Sequence, residues 1–225
     1  MIIFLIFFLF VFVLPKFWLS NAMKKNDEEL MNMPFTAEEF GQIILKENNL
    51  SDVKIEETEQ VDHYDLHDKT VRVQQGRLAK KSLTSLTIIC HEIGHAIQHK
   101  EEYGPLVRRT SLVERTQWIS KFGGVILYSG LPLILATGSF GLIKVCLLLV
   151  LISVLLGVFI HLITLDVEID ASFNRAMPIL EEKIPSEYHS QCKNVLQAAA
   201  YTYVIGALTS FLSLRYIWLL LSRVR

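Results

Sequence analysis

The sequence predicts an α-helical membrane protein with about four transmembrane helices and a small α+β part in water, and three observations carry that prediction. Hydrophobic residues make up 51% of the 225-residue chain, and its mean hydropathy is positive. Charged residues crowd between Lys24 and Lys121, whereas residues 1–14 and 122–165 hold almost none. Within the charged stretch, segments of helical and of alternating periodicity succeed one another, as in a mixed α and β domain. The formal net charge of −1 gives no ground for a nucleic-acid partner. Cys90, Cys146 and Cys192 form no C-x-x-C pair and read as free thiols.

Residues 1–20, MIIFLIFFLFVFVLPKFWLS, predict a transmembrane anchor. The start lacks the basic residues of a signal peptide, and the apolar run continues through Phe17, Trp18 and Leu19. Residues 24–121 form the soluble part. In TAEEFGQIILKENN, Thr36 and Glu39 make a capping box, and Phe40, Ile43 and Ile44 give the helix an apolar face. VKIEETEQ and KTVRV alternate like half-buried strands, with DHYDLHD as a turn-rich connection. The next helix begins at Ser82 and is expected to end at YGP, where Gly104 can close it and Pro105 cannot continue it.

Residues 122–165 are about twice as long as one crossing requires, so they predict a hairpin of two spans turning near TGSFGLIK. Residues 166–197 return to water. Residues 198–221 form a last transmembrane or interfacial helix, rich in aromatic residues suited to a membrane boundary.

CHEIGHAIQHK, residues 90–100, carries the chemistry. On a helix His91 and His95 share a face one turn apart and can reach one zinc ion, while Glu92, displaced by one residue, can reach a water without binding the metal. His99 lies eight residues past His91, about 12 Å along the axis, so one ion cannot take all three histidines. A helix broken to bring in a third histidine is excluded as well, because Gln98 and Glu101 stand where that arrangement needs glycine and histidine. Cys90 points away from the face of His91 and reads as a small buried residue. A catalytic zinc takes three protein ligands and keeps a fourth position open. DVEIDAS, residues 166–172, is the best source of the third: an even number of crossings returns it to the side of the motif helix. Glu168 is the first candidate and Asp170 its rival.

DHYDLHDKTVRV, HEIGHAIQHKEEYGPLVRR and VEIDASFNRA, in this order and with an apolar hairpin between the last two, resemble the YugP-type membrane zinc metallopeptidases, a family of neutral zinc proteases. The resemblance covers the chain from about Val61 onward. More distantly, the chain is similar to the CAAX prenyl protease and HtpX-type peptidases, whose third ligand is the glutamate of an E-x-x-A-D segment. That likeness implies a zincin-like fold for residues 24–121, one Zn2+ per chain held by His91, His95 and Glu168, and Glu92 as catalytic base. Ser172 stands where those relatives carry an aspartate that supports a zinc-binding histidine, so this support is expected from Asp170 or Ser172.

The function so implied is hydrolysis of peptide bonds in a peptide or protein substrate, by a zinc-activated water with a glutamate base. Arg175, His161 and Tyr64 are candidates to stabilise the oxyanion. KTVRV is a candidate sheet edge on which substrate adds as a strand. Lysine and arginine concentrate between Lys16 and Lys121, which places the soluble part and the site on the cytoplasmic face of a multi-pass protein in the cell membrane. Arg223 and Arg225 fit that orientation only if the last helix lies along the interface. The rival reading is a catalytically silent zinc-binding membrane scaffold, which a site closed by four protein ligands would favour.

Overall fold

The structure, a computed structural model, describes residues 14–125, 129–130 and 140–223. The chain is mostly helical with one small sheet. It divides into two compact units, one formed by Met1–Val107 with Asp166–Thr202 and the other by Arg108–Leu165 with Tyr203–Arg225.

The first unit contains the sheet and the histidine motif. Helix α1, Leu14–Lys25, leads into a segment laced to the start of the motif helix. The Thr84 hydroxyl donates to the Met23 carbonyl at 2.7 Å, and Asp27 accepts from Lys80 at 2.6 Å and from Ser82 at 3.0 Å. Helix α2, Ala37–Glu47, starts at the expected capping box, with Thr36 and Glu39 each bonding the other's backbone N–H. Its inner face is Phe40 and Ile44, both fully buried, but Ile43 is exposed. A step of 100° per residue turns Ile43 away from the face that Phe40 and Ile44 share with the core.

Three strands follow: β1 (Lys54–Thr58), β2 (His63–Asp65) and β3 (Thr70–Gln74), in the order β1-β3-β2. β1 runs parallel to β3 and β2 antiparallel to it. The connection expected to be a turn thus contains a strand. KTVRV is the central strand, so both its edges are occupied and the exposed edges belong to β1 and β2. Val71 and Val73 pack inward under helix α3, Leu83–Lys100, which carries the motif.

α3 starts where the sequence predicts, with the Ser82 hydroxyl accepting from the Ser85 N–H at 3.2 Å. It ends earlier, at Lys100. Glu102, with φ of 51°, takes the left-handed conformation expected of Gly104. Gly104 and Pro105 instead open α4, Gly104–Val125, because a helix's first turn needs no proline N–H.

Helix α5, Phe140–Ile169, continues into a π-helical segment, Asp170–Ala176, and then α6, Met177–Lys183. The segment that the sequence reading returns to water, residues 166–197, thus begins as a helical continuation of α5. α7, His189–Arg223, completes the chain. One described helical run, Gly141–Lys183, is long and apolar enough to cross a membrane. The anchor expected at residues 1–20 lies mostly outside the described residues, as does much of the first half of the hairpin at 122–165. Among the described residues the structure therefore supplies one candidate span, where the whole sequence predicts about four.

Candidate metal centre

Ile89, Ile93 and Leu86 hold one face of α3 in the core, which presents His91 and His95 on another face, toward the segment that follows α5. Gly94 lets the two helices come this close: a Cβ there would sit 2.8 Å from the Ala171 carbonyl oxygen. Glu168 in the last turn of α5, and Asp170 and Ser172 in the π-helical segment, all lie buried against α3. Such widened turns recur at functional sites.

The three side chains converge. The Nε2 atoms of His91 and His95 lie 3.3 Å and 3.6 Å from Glu168 Oε2. The imidazole rings meet edge to face with centroids 4.8 Å apart. Among the described residues, His91, His95 and Glu168 are the group whose ligand atoms could hold a metal ion, all within 4.8 Å of one another. A tetrahedral zinc with bonds of ~2.0–2.1 Å needs ligand atoms ~3.3–3.4 Å apart. Two imidazole nitrogens and one carboxylate oxygen fit that ion in donor chemistry, and the two histidine-to-glutamate spacings lie close to that separation.

The far side of each imidazole is also held. His91 Nδ1 lies 3.1 Å from the Ser172 hydroxyl, and His95 Nδ1 lies 3.0 Å from Gln98 Oε1. The Gln98 amide donates to the Val167 carbonyl at 2.9 Å and to the Asp170 carboxylate at 2.8 Å. Asp170 also accepts from Asn174 and Arg175, so it braces the site rather than facing the ion. Burial opposes a charge on His95, yet the neighbouring Glu168 and Glu92 carboxylates raise its pKa to about 9.

Glu92 is buried beside this triad. Burial pushes its carboxyl above the ordinary range, and the nearby charges of Glu168 and Asp62 add to the rise while His91 and His95 oppose it. Among the described residues no hydrogen bond holds its carboxylate.

Other sequence candidates separate from the triad. The His99 ring nitrogen pairs with the Tyr64 hydroxyl at 3.0 Å, joining α3 to strand β2. Arg175 stacks over the Tyr103 ring and pairs with Glu101 and Asp170. His161 belongs to the other unit, where it packs against Gly206. Cys90 is fully buried, its thiol directed at the Ala176 carbonyl. In the sequence Gln98 stands where a broken-helix motif needs glycine, and that pattern gives it no role at the metal. Its place four residues above Gly94 and three past His95, on a face about to be covered, was the signal available.

A buried His-His-carboxylate cluster with an adjacent glutamate is a candidate metal site with the donor set that zinc hydrolases use. Residues 1–222 match the family model described as "putative neutral zinc metallopeptidase", and the chain belongs to that family. It is 33% identical over 214 residues, 92% of each chain, to the "putative membrane protease YugP" of Bacillus subtilis (strain 168). No solved structure matches.

Proposed function

We propose that this chain is a membrane-embedded zinc peptidase that hydrolyses peptide bonds in peptide or protein substrates, membrane proteins among them. The convergence of His91, His95 and Glu168 beside a buried Glu92 carries the reading. The three would hold one zinc ion. Zinc held there supplies Lewis acidity to a peptide carbonyl and makes water easier to deprotonate.

Glu92 takes the proton of the attacking water and passes it to the leaving amine. A carboxyl raised by burial suits both halves of that transfer, because it holds the proton longer than an exposed one would. The absence of a fixed partner on its oxygens, among the described residues, leaves them available to water. Ser172 and Gln98 keep the two imidazoles oriented. Substrate adds as a strand along the free edge of β2 rather than along KTVRV, since β2 is antiparallel, lies at the rim of the sheet and is tied to α3 through Tyr64 and His99.

The apolar stretch within the helical run Gly141–Lys183 and the relative's description as a membrane protease support a bilayer location. The excess of lysine and arginine before residue 122 supports a cytoplasmic site, and the apolar stretches at residues 1–14 and 122–165 support a multi-pass arrangement.

The test is zinc content beside cleavage of an unfolded protein, on detergent-purified full-length chain. Wild type is expected to bind one zinc and cleave, Glu92→Gln to bind zinc and not cleave, and Glu168→Ala to lose the zinc. Full zinc occupancy in Glu168→Ala would reassign the third ligand. Zinc binding by wild type and Glu92→Gln with cleavage by neither would favour the scaffold.

A further inference from the structure

Gln98 is fully buried although it is polar, and it forms three hydrogen bonds around a single amide. A side-chain amide has two N–H donors and one carbonyl acceptor. Both donors are taken by groups that can only accept there, the Val167 carbonyl oxygen and an oxygen of the Asp170 carboxylate. The amide therefore cannot turn over without setting its oxygen against two other oxygens. Its Oε1 must be the atom that faces His95 Nδ1, at 3.0 Å. A neutral imidazole facing an acceptor carries its hydrogen on that nitrogen, which leaves the lone pair on Nε2, the atom turned toward Glu168.

The same amide acts on the third candidate ligand. Val167 is the residue before Glu168, so its bond to Gln98 ties the backbone beside that carboxylate to the histidine helix. Asp170 is held in turn by Asn174 at 2.8 Å and by Arg175 at 3.1 Å. Arg175 reaches on to Glu101, just past the end of α3. The chain of bonds begins on α3, passes through the π-helical segment and ends at Glu101, the residue that follows α3.

We propose that Gln98 is a positioning residue for the metal: oriented by Val167 and Asp170, it fixes His95 in the Nδ1–H form and locks the Glu168 backbone to the histidine helix. This deepens the function proposed above and rests on its assignment of His91, His95 and Glu168 as ligands. It also accounts for how the site does without an aspartate at Ser172: His91 is oriented by the Ser172 hydroxyl, and the carboxylate two residues earlier works on the other histidine through Gln98.

The experiment measures zinc affinity of the full-length chain in detergent by competition with a chelator, and the visible absorption of the Co2+-substituted protein as a report of tetrahedral geometry. The variants are Gln98→Met, which keeps the volume without hydrogen bonds, and Gln98→Glu, whose protonated carboxyl retains an acceptor for His95 and a donor for Asp170. Gln98→Met is expected to bind zinc about 10- to 100-fold more weakly and to lose the tetrahedral Co2+ intensity, with Gln98→Glu lying closer to wild type. Wild-type affinity in Gln98→Met, or equal losses in both variants, overturns the proposal, because a filler role predicts that methionine is the better replacement. Should Gln98→Met fail to fold, Asp170→Asn reads the same chain of bonds: weaker zinc binding supports the proposal and unchanged binding overturns it. Failure of wild type itself to bind zinc, or unchanged binding in Glu168→Ala, would instead reject the ligand assignment on which the proposal stands.

Discussion

Gly94→Ala inverts an ordinary expectation. In a helix interior, replacing glycine by alanine should stabilise by about 1 kcal/mol, because alanine loses less backbone freedom on folding. Here the new Cβ would stand 2.8 Å from the Ala171 carbonyl oxygen and 3.4 Å from its carbon. The oxygen is about 0.6 Å inside ordinary van der Waals contact, and it is backbone, so no rotamer change relieves it. Relief requires the π-helical segment to retreat from α3, carrying Glu168 and Ser172 away from His91. Overpacking of this kind costs about 1–3 kcal/mol, which offsets the helical gain and leaves the variant as stable as wild type or up to about 2 kcal/mol less stable. The larger effect falls on the metal: a retreat of about half an ångström stretches ligand spacings of 3.3 and 3.6 Å beyond what one zinc bridges well. Thermal melting with and without zinc measures both effects. The zinc-induced rise in melting temperature should shrink in Gly94→Ala. A variant more stable than wild type, with the full zinc-induced rise, would refute the claim that this glycine sets the approach of the two helices.

Two further outcomes follow from the same geometry. His95, raised to about 9 by its carboxylate neighbours despite burial, must lose a proton to bind zinc. Chelator competition should therefore show zinc affinity still climbing between pH 7 and 9, and a plateau from pH 7 would contradict it. The sign for the metal-free protein is opposite: the charged His95 stabilises fully below its unfolded value near 6.5, and that contribution fades as pH rises through about 9. Tyr64→Phe removes the bond from β2 to His99 and should cost about 1 kcal/mol of stability by thermal or denaturant unfolding, with zinc content unchanged. Loss of zinc in that variant would mean that His99 takes part in the metal site.

The motif helix was legible in the sequence because its information is local. A rise of about 1.5 Å and a turn of 100° per residue place His91 and His95 on one face and exclude His99, whatever surrounds the helix. The Ser82 cap and the Thr36–Glu39 box were local too, since each needs only a hydroxyl and the next turn's N–H groups. Glu168 was reachable by counting crossings and by likeness, not by periodicity. What tertiary structure alone decided are relations across many residues. β2 exists because β3 supplies its hydrogen bonds, although Asp62, Asp65 and Asp68 make its sequence look like a turn. That pairing makes KTVRV central. Glu102 takes the left-handed turn expected of Gly104 because that turn closes α3, with the Glu102 and Tyr103 N–H groups donating to the His99 and Gln98 carbonyls. The π-helical winding of Asp170–Ala176, which begins just after Glu168 and carries Asp170 and Ser172, shifts the phase by a fraction of a turn and leaves no composition signal. Gln98 acquired its role only when Val167 and Asp170, 69 and 72 residues away, closed over it. Helical phase is written in consecutive residues, whereas the partner of a buried polar group is chosen by the fold that buries it.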